Sequence, residues 1–197
     1  MSAKIIPLHR VEGEPAEMSD EALLAACGTG DSAALGALFD RFHAAVYRLA
    51  ARFPRTDDLA RDDLVQATFL QISRMAPTYR GTASVRTWIL GIAANIARRV
   101  FRSEQRRRVR QAKFLAIPSA APQSVDEQFE RRQLMMRIEA AMADLPRDQQ
   151  VAFVLCDLEQ LPAREVARVL DIPEGTLARR LHDARKAMRT ALEKGQR

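Results

Sequence analysis

Between Leu161 and Leu181 the chain reads Leu-Pro-Ala-Arg-Glu-Val-Ala-Arg-Val-Leu-Asp-Ile-Pro-Glu-Gly-Thr-Leu-Ala-Arg-Arg-Leu, the pattern of two short helices around a tight turn. Val166, Ala167, Val169 and Leu170 mark the first helix, and Asp171 to Gly175 supply the turn. The second helix repeats Leu177, Leu181, Ala184 and Met188 at i, i+4, i+7 and i+11. At 3.6 residues per turn, Arg179 and Lys186 fall opposite that stripe, with His182 and Asp183 beside them. Such a helix can bury one side and offer the other to a DNA major groove. A solvated amphipathic helix of an all-helical protein is the plainer alternative. Turn chemistry and a basic face occurring together favour DNA.

Charge points the same way. The chain of 197 residues has a formal net charge of +6 and a pI near 10.0, and the excess is concentrated. From Arg98 to Lys113 eight basic residues face Glu104 alone, so the rest of the chain is close to neutral. A local field of this kind attracts a phosphate backbone or an acidic membrane surface. Membrane is the weaker choice, because no apolar run approaches the roughly 20 residues of a span and no signal peptide is expected at the start. Cys27 and Cys156 stand far apart without a CxxC and read as buried, reduced thiols of a cytoplasmic protein. His9, His43 and His182 are scattered, so neither metal nor cofactor is expected. No phosphate-binding glycine loop, Ser/His/Asp grouping or carboxylate pair suggests an enzyme.

Along the chain, residues 1–18 lack periodicity and read as a flexible tail. Asp20 is placed to cap a short helix with Leu23 and Leu24, and Gly30-Asp31 to end it and cap the next. That next helix carries Leu35, Leu38, Phe39, Phe42, Val46, Leu49 and Phe53 on one side and stops at Pro54. Asp57-Asp58 open a third helix, whose buried stripe is Val65, Phe69, Ile72 and Ala76. A polar loop from Thr78 to Ser84 precedes a helix with Trp88, Ile89, Ile92, Ala93 and Ile96 on its apolar side. Residues 112–128, rich in Pro, Ser, Ala and Gln, have the composition of a flexible linker. Periodicity resumes with Phe129, Leu134, Ile138, Ala141 and Leu145, then Val151, Val154 and Leu155. The fold class is all-α, with two small helical domains, residues 19–111 and 129–197, joined by that linker.

Four stretches taken together resemble a known family. They are Asp63-Leu-Val-Gln-Ala-Thr-Phe-Leu70, Tyr79-Arg-Gly-Thr-Ala-Ser-Val-Arg-Thr-Trp-Ile-Leu-Gly-Ile-Ala-Ala-Asn95, Leu145-Pro, and Glu174-Gly-Thr-Leu-Ala-Arg-Arg-Leu181. In order and spacing they are similar to the successive motifs of extracytoplasmic-function (ECF) sigma factors of the sigma-70 family. The resemblance implies a σ2-like domain that binds core RNA polymerase and the promoter −10 element. It also implies a σ4-like helix-turn-helix domain for the −35 element, and an anti-sigma factor as regulator. Two departures stand out. Ala67-Thr68 follow the Leu-Val-Gln motif where relatives usually carry an acidic and a hydrophobic residue, and Asp183 stands where relatives tend to carry arginine.

Three surfaces follow. Burying Val65, Phe69 and Ile72 turns Asp63, Gln66, Leu70, Gln71 and Arg74 outward, and the resemblance assigns that face to core polymerase; an outward leucine suits a contact anchor. Gly81, Thr82 and Ser84 can form a small polar pocket for a flipped base, Asn95 can read a base edge, and Arg98, Arg99 and Arg102 can hold phosphates. Trp88 reads as core rather than as a stacking residue. On the recognition helix Arg179, His182, Asp183 and Lys186 face the groove, while Thr176, Arg180 and Arg185 flank it. These surfaces fit promoter DNA and core polymerase as partners, with no membrane insertion. A stand-alone helix-turn-helix regulator and a sigma-like decoy that titrates an anti-sigma factor remain as alternatives.

Overall fold

The computed structural model describes residues 17–54, 57–111 and 127–193, and every element among them is a helix or a helical turn. The expected tail and most of the expected linker lie outside the described residues, as do the side chains of Arg102 and Phe129.

Helix α1 (Asp20–Gly28) is capped by Ser19, one residue earlier than expected: the Ser19 hydroxyl accepts from the Ala22 N–H, leaving Asp20 in the first turn. Gly30, at φ 92°, turns the chain into α2 (Ser32–Ala51). Asp31 caps α2 through the N–H groups of Ala33 and Ala34. Asp57 opens α3 (Asp58–Met75) as expected, accepting from the Ala60 N–H. A short 3₁₀ turn (Ala76–Thr78) and a loop lead to α4 (Val85–Gln111). These four helices pack on Leu23, Leu38, Val46, Leu49, Ile72, Ile89 and Leu90, all buried. Each leucine or isoleucine so placed contributes about 1.5–3 kcal/mol. The α2 stripe is narrower than its periodicity suggested, because Phe39 stays 40% exposed and stacks on His43.

The second half comprises α5 (Glu127–Asp144), α6 (Arg147–Phe153), a π-helical turn (Val154–Leu158), α7 (Ala163–Val169) and α8 (Glu174–Glu193). Gln150 is fully buried and donates from Nε2 to the carbonyls of Met142 and Leu145, satisfying the end of α5 from the start of α6. Of the described side chains in the expected α5 stripe, Leu134 is exposed beside Met135 and Met136, Ile138 is half-buried, and Ala141 and Leu145 are buried. Asp171, at φ 53°, makes the left-handed turn between α7 and α8. Helix α8 begins at Glu174, so Gly175, expected in the turn, lies in its first turn.

The buried residues of the two halves merge into one continuous core. Helix α4 is the shared element, touching α6, the π-helical turn and α7 as well as its own half. The two halves expected from the sequence are thus in contact through α4 among the described residues.

Candidate nucleic-acid interface

On α3, burial of Leu64, Val65, Thr68, Phe69 and Ile72 leaves Asp63, Gln66, Leu70 and Arg74 exposed, with Gln71 half-buried. Leu70 is 58% exposed among polar neighbours. Thr68, one of the departures from the family pattern, turns inward, and its hydroxyl donates to the Leu64 carbonyl at 2.7 Å. The altered motif therefore leaves the outward face intact.

The loop before α4 is built by three devices. Gly81 takes φ 64°, a left-handed turn that costs glycine nothing. The Tyr79 hydroxyl donates to the Ala83 carbonyl at 2.7 Å and closes the loop on itself. Ser84 caps α4, its Oγ accepting from the Thr87 N–H at 3.2 Å. Behind the loop lies a cavity of about 270 Å³ walled by Thr82, Asn95 and Arg99, together with Gln71, Tyr79, Arg80 and Trp88. The Asn95 amide is engaged by no described residue. Trp88 is both packing and wall: it is half-buried and meets the Tyr79 ring edge-on at 5.5 Å. Of the expected loop residues, Thr82, Asn95 and Arg99 therefore meet at one cavity, while Gly81 shapes the loop and Ser84 caps the helix.

The far wall of this cavity belongs to the other half, as Arg168 and Val169 of α7. Arg168 donates to the Thr82 carbonyl at 2.7 Å, and the Ser84 N–H donates to Glu165 at 2.9 Å. The Ser84 N–H and then the Thr87 hydroxyl, with lesser help from the Ser84 hydroxyl and Arg168, hold the Glu165 carboxyl below the usual carboxylate range against the opposing effect of burial. Val169 lies so close to α4 that a Cβ on Gly91 would come within 2.7 Å of its Cγ2. Immediately after the π-helical turn, Glu159, with a side chain 7% exposed, pairs with Arg86 at 3.0 Å and lies 3.9 Å from Arg52. Asp148 of α6 holds Arg98 of α4 at 3.1 Å and Arg180 of α8 at 2.9 Å.

On α8, Leu177, Leu181, Ala184 and Met188 are buried. Arg179, His182, Asp183 and Lys186 are exposed. Arg185 is exposed but paired with Asp157, at 2.8 and 2.5 Å. Thr176 is half-buried at the start of the helix. Asp183 forms no ion pair among the described residues; with Lys186 it borders an open groove between α8 and the α5–α6 turn.

Sequence reasoning missed Glu165, Arg168, Asp148 and Glu159, because each acts on a partner dozens of residues away and no local pattern marks it. Tyr79, also missed, carried a signal as a tyrosine at the loop entrance, and Gln71, expected on the outward face of α3, lines the cavity as well. Cys27 is buried and Cys156 half-buried, both free, with burial pushing each thiol up to about 11. Among the described residues no helix is long and apolar enough to cross a membrane, and no group of His, Cys, Asp or Glu could hold a metal ion.

Comparison with known proteins places this geometry. The profile described as Sigma-70 region 2 matches residues 38–107, and that of Sigma-70, region 4 matches residues 135–188. ECF RNA polymerase sigma factor SigM of Mycobacterium tuberculosis is 33% identical over 172 residues, covering 86% of this chain and 82% of the relative. ECF RNA polymerase sigma-E factor of Escherichia coli K12 is 28% identical over 184 residues, covering 87% and 93%. Among solved structures, CnrH in complex with the cytosolic domain of CnrY aligns with a TM-score of 0.64 at 21% identity, over 89% of this chain and 97% of that one. The sigma factor RpoE in complex with the anti-sigma factor NepR from Bartonella quintana aligns at 0.53 and 21%, over 79% and 94%. At those identities the structural likeness concerns the fold.

Proposed function

This chain belongs to the extracytoplasmic-function sigma factors of the sigma-70 family, and we propose how its own residues divide that family's work. It is an alternative sigma factor that directs core RNA polymerase to promoters; the catalyst of RNA synthesis is the polymerase. Residues 19–111 form the σ2-like domain and residues 129–197 the σ4-like domain. Asp63, Gln66, Leu70, Gln71 and Arg74 meet core polymerase, with Leu70 as the apolar anchor.

The observation that carries the promoter reading is the cavity behind Thr82, where Asn95 offers an unengaged amide beside two aromatic rings and the arginines Arg80, Arg99 and Arg168. A base extruded from the −10 element finds there a ring to stack on and an amide for its Watson–Crick edge. Gly81 and Ser84 shape its mouth, and Arg98, Arg99 and Arg102 follow the backbone as α4 runs on into the basic segment. At the −35 element α8 enters the major groove with Arg179, His182, Asp183 and Lys186, and Thr176, Arg180 and Arg185 reach phosphates. An anti-sigma factor holds the protein inactive in the cytoplasm until its signal arrives. Run-off transcription with purified core polymerase on genomic promoters tests the whole assignment. Sequence-specific initiation supports it, and tight, specific duplex binding by the protein alone, with no polymerase-dependent transcript, overturns it.

A further inference from the structure

We propose that the packing of the second half against α4 is an autoinhibitory latch: α7 lids the base cavity, and single-stranded DNA enters only after α7 swings away. The inference rests on the reading of that cavity as the −10 site.

The contacts fall on the groups that DNA would use. Arg168 and Val169 wall the cavity. Arg168 occupies the Thr82 carbonyl and Glu165 occupies the Ser84 N–H. Ser84 and Thr87 form the beginning of a capping box, in which a glutamate three residues after the cap ordinarily reaches back to the cap N–H. Here that position holds Thr87, whose hydroxyl bonds Ser84 Oγ at 2.8 Å, and the missing carboxylate comes from Glu165 of the other half. The positive end of α4 favours such an anion. Asp148 completes the closure by neutralising Arg98 and Arg180, one phosphate-binding candidate from each half.

The closure is also reversible by construction. Its Asp148 pairs keep side chains 25–32% exposed, so solvent still screens them and each contributes little individually. The steric element is the close approach of Gly91 to Val169, where a Cβ would lie 2.7 Å from Cγ2 and 2.9 Å from Cβ. Valine is stiff about χ1 and cannot turn aside, so Gly91→Ala forces α7 back. Alanine is a better helix former than glycine, so α4 itself is strengthened. The substitution alters no charge, which separates release of the latch from electrostatic attraction to DNA.

The test measures small-angle scattering and fluorescence-anisotropy binding of a short randomised single-stranded DNA, at fixed salt, for the full chain, Gly91→Ala and Glu165→Gln. Circular dichroism confirms that each variant is folded. If the open form is about one-tenth of the wild-type population, both variants bind DNA about tenfold more tightly, with a larger radius of gyration. In the presence of core polymerase, Gly91→Ala initiates from the same promoters as the wild type. Folded variants with wild-type affinity or wild-type dimensions overturn the latch. A wild-type protein that supports no run-off transcription with core polymerase overturns the sigma-factor assignment instead, whatever the scattering shows.

Discussion

The two regions proposed to face DNA are held in opposite ways. On α8, Arg179, His182, Asp183 and Lys186 stand in solvent on one continuous helix whose other side is buried. Around the α3–α4 loop, Thr82, Ser84 and Arg98 are already held by Arg168, Glu165 and Asp148 of the other half. A reading surface carried by a single amphipathic helix is complete once that helix is packed. A composite cavity depends on which elements close over it, and this one is closed by the very half proposed to read the other promoter element. The recognition helix is thus available in the free protein, while the base cavity is withheld.

The largest test of this contrast bears on what could open the cavity. If polymerase is the agent, Leu70 is its handle, exposed at 58% on the face of α3. Leu70→Asp places a charge at the centre of that contact, and loss of an anchoring side chain of this type costs about 2 kcal/mol or more. Run-off transcription should fall about 30-fold or further, while scattering and single-stranded DNA binding of the free protein stay unchanged. Transcription at wild-type levels would remove α3 from the polymerase interface.

The same contrast explains what the sequence made legible. Periodicity identified the α8 stripe of Leu177, Leu181, Ala184 and Met188, and all four are buried. It also turned Asp63, Gln66, Leu70 and Arg74 outward on α3, where the structure has them. Both depend only on neighbours within a few turns. Glu159, Glu165 and Arg168 carry no local signal, because their partners Arg86, Ser84 and Thr82 lie in the other half. Ser19 took the cap expected of Asp20, a one-residue contest between two good capping residues that local propensity does not decide. The readings of residues 1–18 and 112–128 lie chiefly outside the described residues.

Within the cavity, base contacts and phosphate contacts should separate. Asn95→Ala and Thr82→Ala should each weaken −10 discrimination by about 1–3 kcal/mol if a base contact is lost. Competition between matched and scrambled −10 single strands, measured on the Gly91→Ala background, reads this without the lid. Equal losses on both strands would make these residues part of the cavity's architecture rather than its specificity.

A smaller effect is expected along the basic run. Arg106→Ala or Arg107→Ala should lower affinity evenly across sequences and reduce the slope of log K against log salt by about 0.7–0.9 per lost phosphate contact. A salt titration of holoenzyme on two unrelated promoters checks it. A change in promoter preference, or an unchanged slope, would mean that the run does not track the backbone.

The narrowest effect, confined to sequence preference at one element, is expected at Asp183. It is exposed on the groove side of α8, and unlike Arg180 and Arg185 it has no ion-pair partner among the described residues. Pairing along its own helix would contribute only a few tenths of a kcal/mol (roughly 0.2–0.5). A carboxylate in the major groove is repelled by phosphate but accepts from the N4 amino group of cytosine, while Arg179, one turn earlier, can pair bidentately with guanine. An arginine at position 183 would choose differently, because it can only donate. Asp183→Arg should therefore shift the preferred −35 sequence and leave the −10 preference untouched, if α8 and the base cavity read separate elements as proposed. Selection over randomised −35 sites with holoenzyme decides it. The same −35 motif from both proteins would leave Asp183 a solvated charge, and a coupled change at −10 would show that the two regions do not read independently.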